Sequence, residues 1–197
     1  CCNFMTLKYD EGINNIALLA SYAFDASVKM IFSALMSGKS LYIIPEECKL
    51  YAERLLEYYK KNQIQVSDCT PTHLKIMLTN QEQYDCRLKY LFVGGEQLRA
   101  ELVNDILERG ICNSILNVYG PTECTVDATC YEVNGKSDVI YIGKPIANVN
   151  VYIMNGDKLC GIGMPGELCI AGDGIARGYL NRPELTAEKF VKNPYGE

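Results

Sequence analysis

Leu88 to Gly120 reads LKYLFVGGEQLRAELVNDILERGICNSILNVYG. Its two ends, 88–93 and 114–119, are short apolar runs with the length and composition of buried strands. Between them Leu98, Leu102 and Ile106 recur on one face of a helix that runs from Gly94-Gly95 to about Gly110. A crossover between parallel strands needs a dozen or more residues, and a helix supplies them. The stretch therefore predicts strand, helix, parallel strand.

The same alternation extends toward the amino end. Residues 64–69 (IQVSDC) read as a strand, and Thr70-Pro71 caps the helix after it. Residues 49–61 form an amphipathic helix, and 40–45 (SLYIIP) a buried strand. Before them, Phe24-Asp25-Ala26-Ser27 opens a helix with Val28, Ile31, Phe32 and Leu35 as its apolar face, ended by Gly38. Residues 14–20 (NNIALLA) are a further apolar run. The expected fold class is α/β, a mostly parallel sheet flanked by helices.

After about residue 127 the helical period stops. Short strands separated by Gly, Asn and Pro follow at 128–133, 149–154 (VNVYIM) and 167–171 (ELCIA). A small β-rich, barrel-like subdomain is expected, with a short helix from Pro183 to Val191 beginning near Asn181 or Arg182. The division expected is 1–133 for the α/β part and 134–197 for the β-rich part. No internal repeat or low-complexity segment interrupts either.

Of the 197 residues 48% are hydrophobic, enough to bury a core. The net charge of −5 is spread among interspersed acids and bases, so no nucleic-acid partner is expected. No apolar run approaches membrane-span length, and no signal peptide is present, so a cytoplasmic setting without a membrane partner is expected. The ten cysteines include no Cys-x-x-Cys pair, and several lie in apolar runs (Cys69, Cys112, Cys169); reduced, buried thiols are expected. His73 is the one histidine and has no ligand spacing around it, which argues against a structural zinc site. Cys1-Cys2-Asn3 and Asn193 to Glu197 both read as cut ends, so a fragment is expected.

The chemistry concentrates in Asn117-Val118-Tyr119-Gly120-Pro121-Thr122-Glu123, at the carboxyl end of a predicted parallel strand, where open α/β sheets bind ligands. Tyr119 offers a flat face for a base, and Gly120 permits close backbone approach. Thr122 offers a hydroxyl and an amide for an anion, and Glu123 hard oxygen for Mg²⁺. A Gly-Pro turn capped by Thr accounts for the same spacing. Gly172-x-Gly174 lacks a third glycine, since Arg177 stands there, and no βαβ unit surrounds it, so a dinucleotide fold is not expected.

Tyr119-Gly120-Pro121-Thr122-Glu123 resembles the fifth core motif of nonribosomal peptide synthetase adenylation domains. Phe24-Asp25-Ala26-Ser27 resembles the fourth, and Gly166 to Tyr179 (GELCIAGDGIARGY) the sixth; Asn181 to Phe190 fits the same family. The motifs span nearly the whole chain in order, so it resembles an incomplete adenylation-domain core.

That resemblance implies attack of an amino-acid carboxylate on the α-phosphate of ATP, giving aminoacyl-AMP and pyrophosphate. The acyl group then passes to a phosphopantetheine thiol on a carrier domain, with peptidyl carrier and condensation domains as partners. By resemblance Tyr119 stacks on adenine, Asn117, Gly95 and Glu96 border it, Thr122 contacts the α-phosphate, and Glu123 holds Mg²⁺. Thr122 and Glu123 are the catalytic candidates, and Gly120 joins the nucleotide-binding set. Asp25 pairs with the substrate ammonium; a helix N-cap is its other reading.

The amino-acid pocket wall implied is Ala26, Lys29, Asp68 and Phe92, with Gly94, Val118, Val126 and Asp127. Lys29 is the informative member, because a cation facing a half-buried pocket needs a counter-charge. An acidic substrate side chain supplies one. A surface pair with Asp25 four residues earlier is the other possibility. Neutralisation by Asp68 or Asp127 would instead suit glutamine. The wall resembles that of glutamate-activating domains, and L-glutamate is the first expectation, with glutamine the alternative.

By resemblance, the Ser/Thr/Gly-rich phosphate loop lies before Cys1, and the ribose-binding Asp and the lobe with a catalytic Lys lie after Glu197. Little activity is expected of the fragment alone. Two rivals stand beside this reading: an AMP-forming acyl-CoA ligase, which needs no Asp25, and a non-catalytic binding or scaffold module, which needs no Glu123.

Overall fold

The computed structural model of the protein describes residues 12–79 and 87–196. Cys1–Asn3 and Glu197, four of the residues read as cut ends, lie outside them. The first five strands are parallel: β1 (Asn15–Leu18), β2 (Ser40–Ile43), β3 (Val66–Cys69), β4 (Leu88–Val93) and β5 (Cys112–Tyr119). Two antiparallel strands, β6 (Thr129–Val133) and β7 (Lys144–Pro145), complete a seven-stranded sheet in the order β2-β1-β3-β4-β5-β6-β7. The expected division at 133/134 thus falls between two strands of one sheet. The β-rich region is a three-stranded antiparallel sheet of β8 (Val149–Asn155), β9 (Lys158–Leu159) and β10 (Glu167–Gly172).

Helices cover both faces of the large sheet, as its apolar strands require. On one face α3 (Ala52–Lys61), α4 (Pro71–Leu78) and α5 (Ala100–Glu108) bury Leu55, Tyr59, Leu74, Met77, Val103 and Ile106 against Leu91, Val93 and Ile115. The other face is covered by α1 (Ala26–Met36), whose Met30 and Ala34 pack on Ile16, Phe92 and Leu116. Thr70 closes a capping box with His73 at the start of α4, with Pro71 at the first helical position. Gly38, at φ +65°, follows the C-cap of α1 and ends it as expected.

Three local expectations need correction. The apolar face read on α1 is turned outward: Phe32 and Leu35 are 51% and 64% exposed, while Ser27, Lys29, Met30, Ser33 and Ala34 are buried. Met30 and Ala34 face the sheet instead, with Ile31 partly buried beside them, and the Ser27 and Ser33 hydroxyls donate to Phe24 O and Met30 O, which offsets the cost of burying them. The single helix read over 49–61 is broken at Leu50-Tyr51, giving α2 (Glu46–Lys49) and α3. The helix after Gly95 starts only at Ala100, although Leu98 ahead of it is buried. The final helix, α6, covers Pro183–Lys189.

All cysteines among the described residues are free thiols. Burial pushes the Cys112 thiol up to about 12 and raises that of Cys69, so both act as small apolar core residues.

Candidate active site

Strand β1 leads outward to β2, whereas β3, β4 and β5 follow on the other side of β1. At such a reversal the connections leave in opposite directions and open a crevice beyond the carboxyl ends of the strands. A cavity of about 1050 Å³ lies there, lined by residues after β1, β3, β4 and β5 and by the start of α1.

Asp68, in β3, bridges the reversal. Its Oδ1 accepts the amide of Leu19 at 2.8 Å and its Oδ2 that of Ala20 at 3.1 Å, both just beyond β1. Burial raises its pKa and outweighs those two bonds and the nearby charge of Lys29, which pull it down.

Lys29 is buried on α1 and lines the cavity. Its ammonium lies 3.2 Å from Asp127 Oδ1, and both side chains are 4% exposed. The pairing with Asp25 considered from sequence is replaced by this one, because α1 turns Lys29 inward. Asp25 stands at the N-cap position of α1 but makes no side-chain capping bond, and it lines the cavity with Ala26.

Asp127 and Val126 reach the site through an abrupt turn. After the 3₁₀ helix Thr122–Cys124, Thr125 and Val126 adopt φ +59° and +74°. The chain then runs back beside Gly120, where an added Cβ would sit 2.5 Å from Val126 O and 2.7 Å from Ala128 N. The close approach inferred for Gly120 is therefore to the chain's own backbone. At Gly94, an added Cβ would lie 3.0 Å from Val118 Cγ2, so bare backbone widens the cavity beside Val118.

Tyr119, also on the lining, is 40% exposed. Asn117 Nδ2 donates to Tyr141 O at 2.8 Å, and Thr129 Oγ1 to Ile142 O at 2.6 Å. These bonds hold Ile140 and Ile142 on the lining, two apolar wall residues that no sequence signal marked. Gly95, at φ +85°, and Glu96 also line the cavity, and Glu96 accepts from the Thr72 hydroxyl. His73 also lines the cavity; its ring bonds Thr70, and burial lowers its pKa.

Three candidates lie off the lining. Phe92 is fully buried beneath it, packed with Met30 and Leu116. Thr122 and Glu123 occupy the 3₁₀ helix just past Pro121, which does line the cavity. Glu123 Oε1 accepts the hydroxyl of Tyr179, which holds its carboxyl below the usual range. Tyr179 belongs to the sixth motif, but nothing in the sequence tied it to a residue 56 positions earlier. Among the described residues no three His, Cys, Asp or Glu converge into a metal cage.

A family model described as AMP-binding enzyme matches residues 2–180. The chain belongs to the AMP-binding enzyme family. It is 41% identical over 198 residues to surfactin synthase subunit 1 of Bacillus subtilis (strain 168), covering 95% of this chain and 6% of that protein. With bacitracin synthase 1 of Bacillus licheniformis it shares 46% identity over 188 residues, 93% of this chain and 4% of that one. A crystal structure of a four-domain nonribosomal peptide synthetase, holo-AB3403 bound to AMP and glycine, superposes with a TM-score of 0.85 at 30% identity, over 98% of this chain and 14% of that chain. As an AMP-binding enzyme chain it thus spans a small part of the length of these relatives. Among the described residues no helix is long and apolar enough to cross a membrane.

Proposed function

We propose that the chain forms the central part of an amino-acid adenylation domain in a nonribosomal peptide synthetase. The domain activates an amino acid with ATP to aminoacyl-AMP and pyrophosphate, then passes the acyl group to a phosphopantetheine thiol on a carrier domain of the same assembly line, which includes condensation domains. The observation that carries this is one cavity holding Asp25, the Lys29–Asp127 pair, Asn117 and Tyr119 at the strand ends. The similarity to a synthetase bound to AMP and glycine supports it. A cytoplasmic setting follows from that assembly line.

Asp25, with no capping bond of its own, takes the substrate ammonium. Tyr119 stacks on adenine, Asn117, Gly95 and Glu96 border it, and Gly120 completes the nucleotide-binding set. Thr122 contacts the α-phosphate. Ala26, Lys29, Asp68, Phe92, Gly94, Val118, Val126 and Asp127 shape the amino-acid subsite, Phe92 from beneath. Positioning and charge stabilisation are the chain's contribution. Mg²⁺ is held by one or two carboxylates together with phosphate oxygens, and Glu123 as a lone carboxylate fits that donor set. When bound, Mg²⁺ offsets phosphate charge as pyrophosphate leaves.

For the amino acid, glutamate is the first reading. Lys29 reaches the lining, and its ammonium has two further N–H donors for a side-chain carboxylate besides the one facing Asp127. Glutamine is the second, favoured by the 3.2 Å pair that already balances Lys29. Amino-acid-dependent ATP–pyrophosphate exchange by the intact parent domain tests both. Exchange greatest with glutamate and lost in Lys29→Ala supports the first; exchange greatest with glutamine supports the second. Exchange with free carboxylic acids alone, or no exchange with any amino acid, overturns the amino-acid adenylation reading in favour of an acyl-CoA ligase or a binding module.

A further inference from the structure

The segment after β10 folds back onto the 3₁₀ helix that carries Thr122 and Glu123. Ala176 N–H donates to Glu123 O at 2.8 Å, and Thr125 Oγ1 donates to Gly174 O at 2.6 Å. Gly174 sits so close that an added Cβ would lie 3.1 Å from Cys124 O. Those contacts fix the backbone of the turn. Its side chain is fixed separately, by the Tyr179 hydroxyl donating to Glu123 Oε1.

Tyr179 is in turn held by α6. Its amide donates to Thr186 Oγ1 at 2.9 Å, and its ring meets Phe190 edge to face at 5.4 Å. Gly178, at φ +131°, has no room for a side chain, because a Cβ there would lie 2.4 Å from Thr186 Cγ2. A chain of contacts thus runs from α6 through the Tyr179 ring to one carboxylate oxygen. The phenol sits on Oε1, and the carboxyl also accepts a hydrogen bond from the Glu123 backbone amide.

We propose that Tyr179 is a positioning residue for Glu123: its hydroxyl fixes the carboxylate rotamer so that one oxygen is presented to the nucleotide's divalent cation. This rests on the reading of Glu123 as the carboxylate that meets that cation. A carboxylate that ligates a metal is aimed by the hydrogen bonds behind it, and losing such a partner weakens metal binding about 10-fold or more. In this role Tyr179 acts through Glu123, and it links α6 to the 3₁₀ helix that carries Thr122 and Glu123.

The test uses the intact parent adenylation domain with Tyr179→Phe, which keeps the ring against Phe190 and deletes only the hydroxyl. Two quantities are read: the Mg²⁺ concentration for half-maximal ATP–pyrophosphate exchange, and Mn²⁺ affinity in the presence of ATP by electron paramagnetic resonance. Both are expected to weaken about 10-fold with the amino-acid KM unchanged. An unchanged metal dependence in Tyr179→Phe overturns the proposal. So does a uniform loss of all parameters with a lower melting temperature and no metal shift, which marks a merely structural role. Glu123→Gln separates the two layers. If it weakens metal binding while Tyr179→Phe does not, the positioning role alone fails; if neither variant changes metal binding, the reading of Glu123 fails with it.

Discussion

Asp68 Oδ1 accepts the Leu19 amide at 2.8 Å across 49 positions of sequence, and the companion oxygen takes the amide of Ala20. One carboxylate thereby fastens the ends of β1 and β3 where their connections diverge. Burial raises its pKa above the ordinary 3.8. The folded state then keeps the proton to higher pH than the unfolded chain does. The associated stability is complete below the unfolded value and is lost as pH rises through the folded one. Asp68→Asn sets an amide nitrogen against one of the two backbone donors and costs on the order of 1–3 kcal/mol. Chemical denaturation of both proteins between roughly pH 4 and 8 should show the wild type losing stability with rising pH in a way the Asn variant does not, so the deficit is largest at the acid end.

The Lys29–Asp127 pair predicts strong coupling. Both side chains are buried, so removing one partner strands a charge at a cost of about 3–5 kcal/mol. Lys29→Met and Asp127→Leu singly should each lower the unfolding midpoint markedly. The double variant should lose less than the sum, with a coupling on the order of 0.5–3 kcal/mol from a double-mutant cycle. Additive losses would mean that the two groups do not sense each other.

Gly120 predicts a backbone effect. Its φ is not in the left-handed region, so the constraint is space: an added Cβ meets backbone atoms of Val126, Asp127 and Ala128 at 2.5–2.8 Å. Gly120→Ala should cost about 1–3 kcal/mol by overpacking and displace Asp127 from Lys29. Denaturation measures the first effect. A changed amino-acid preference in exchange assays measures the second.

Tyr119 predicts a nucleotide effect without a stability effect. Its ring is partly exposed at the cavity. Tyr119→Ala should weaken ATP binding by about 1–3 kcal/mol, the range for base–aromatic stacking, with an unchanged melting temperature. Calorimetric titration of the intact parent domain with ATP reads this directly.

Much of the architecture was legible because strands and helices announce themselves by period. The alternation from Asn14 to Tyr119 was enough for a parallel sheet, and Thr70-Pro71 and Gly38 marked helix ends by local chemistry alone. The orientation of α1 was not legible. Val28, Phe32 and Leu35 make an apolar stripe, but the sheet takes the face with Met30 and Ala34, where Ser27 and Ser33 are buried with their hydroxyls satisfied locally. In the site, the motifs marked Asp25, Tyr119 and Glu123 as candidates. The Lys29–Asp127 contact, across 98 positions, was one of two counter-charges that the family's pocket wall suggested, whereas the Tyr179–Glu123 contact, across 56, was hidden. No local pattern encodes such pairs; only the strand order brings them together.

The cavity wall is drawn from several separate strand ends and one helix start, each seated in its own part of the core. Side chains on different elements that share no partner change independently. A wall of this kind can drift toward new substrates one residue at a time without disturbing the sheet. Asp68, which fastens β1 to β3, and the Lys29–Asp127 pair are exceptions. Either half of the pair altered first leaves a buried charge, so an evolutionary path that changes the polarity of this pocket crosses an unstable intermediate unless both codons change together.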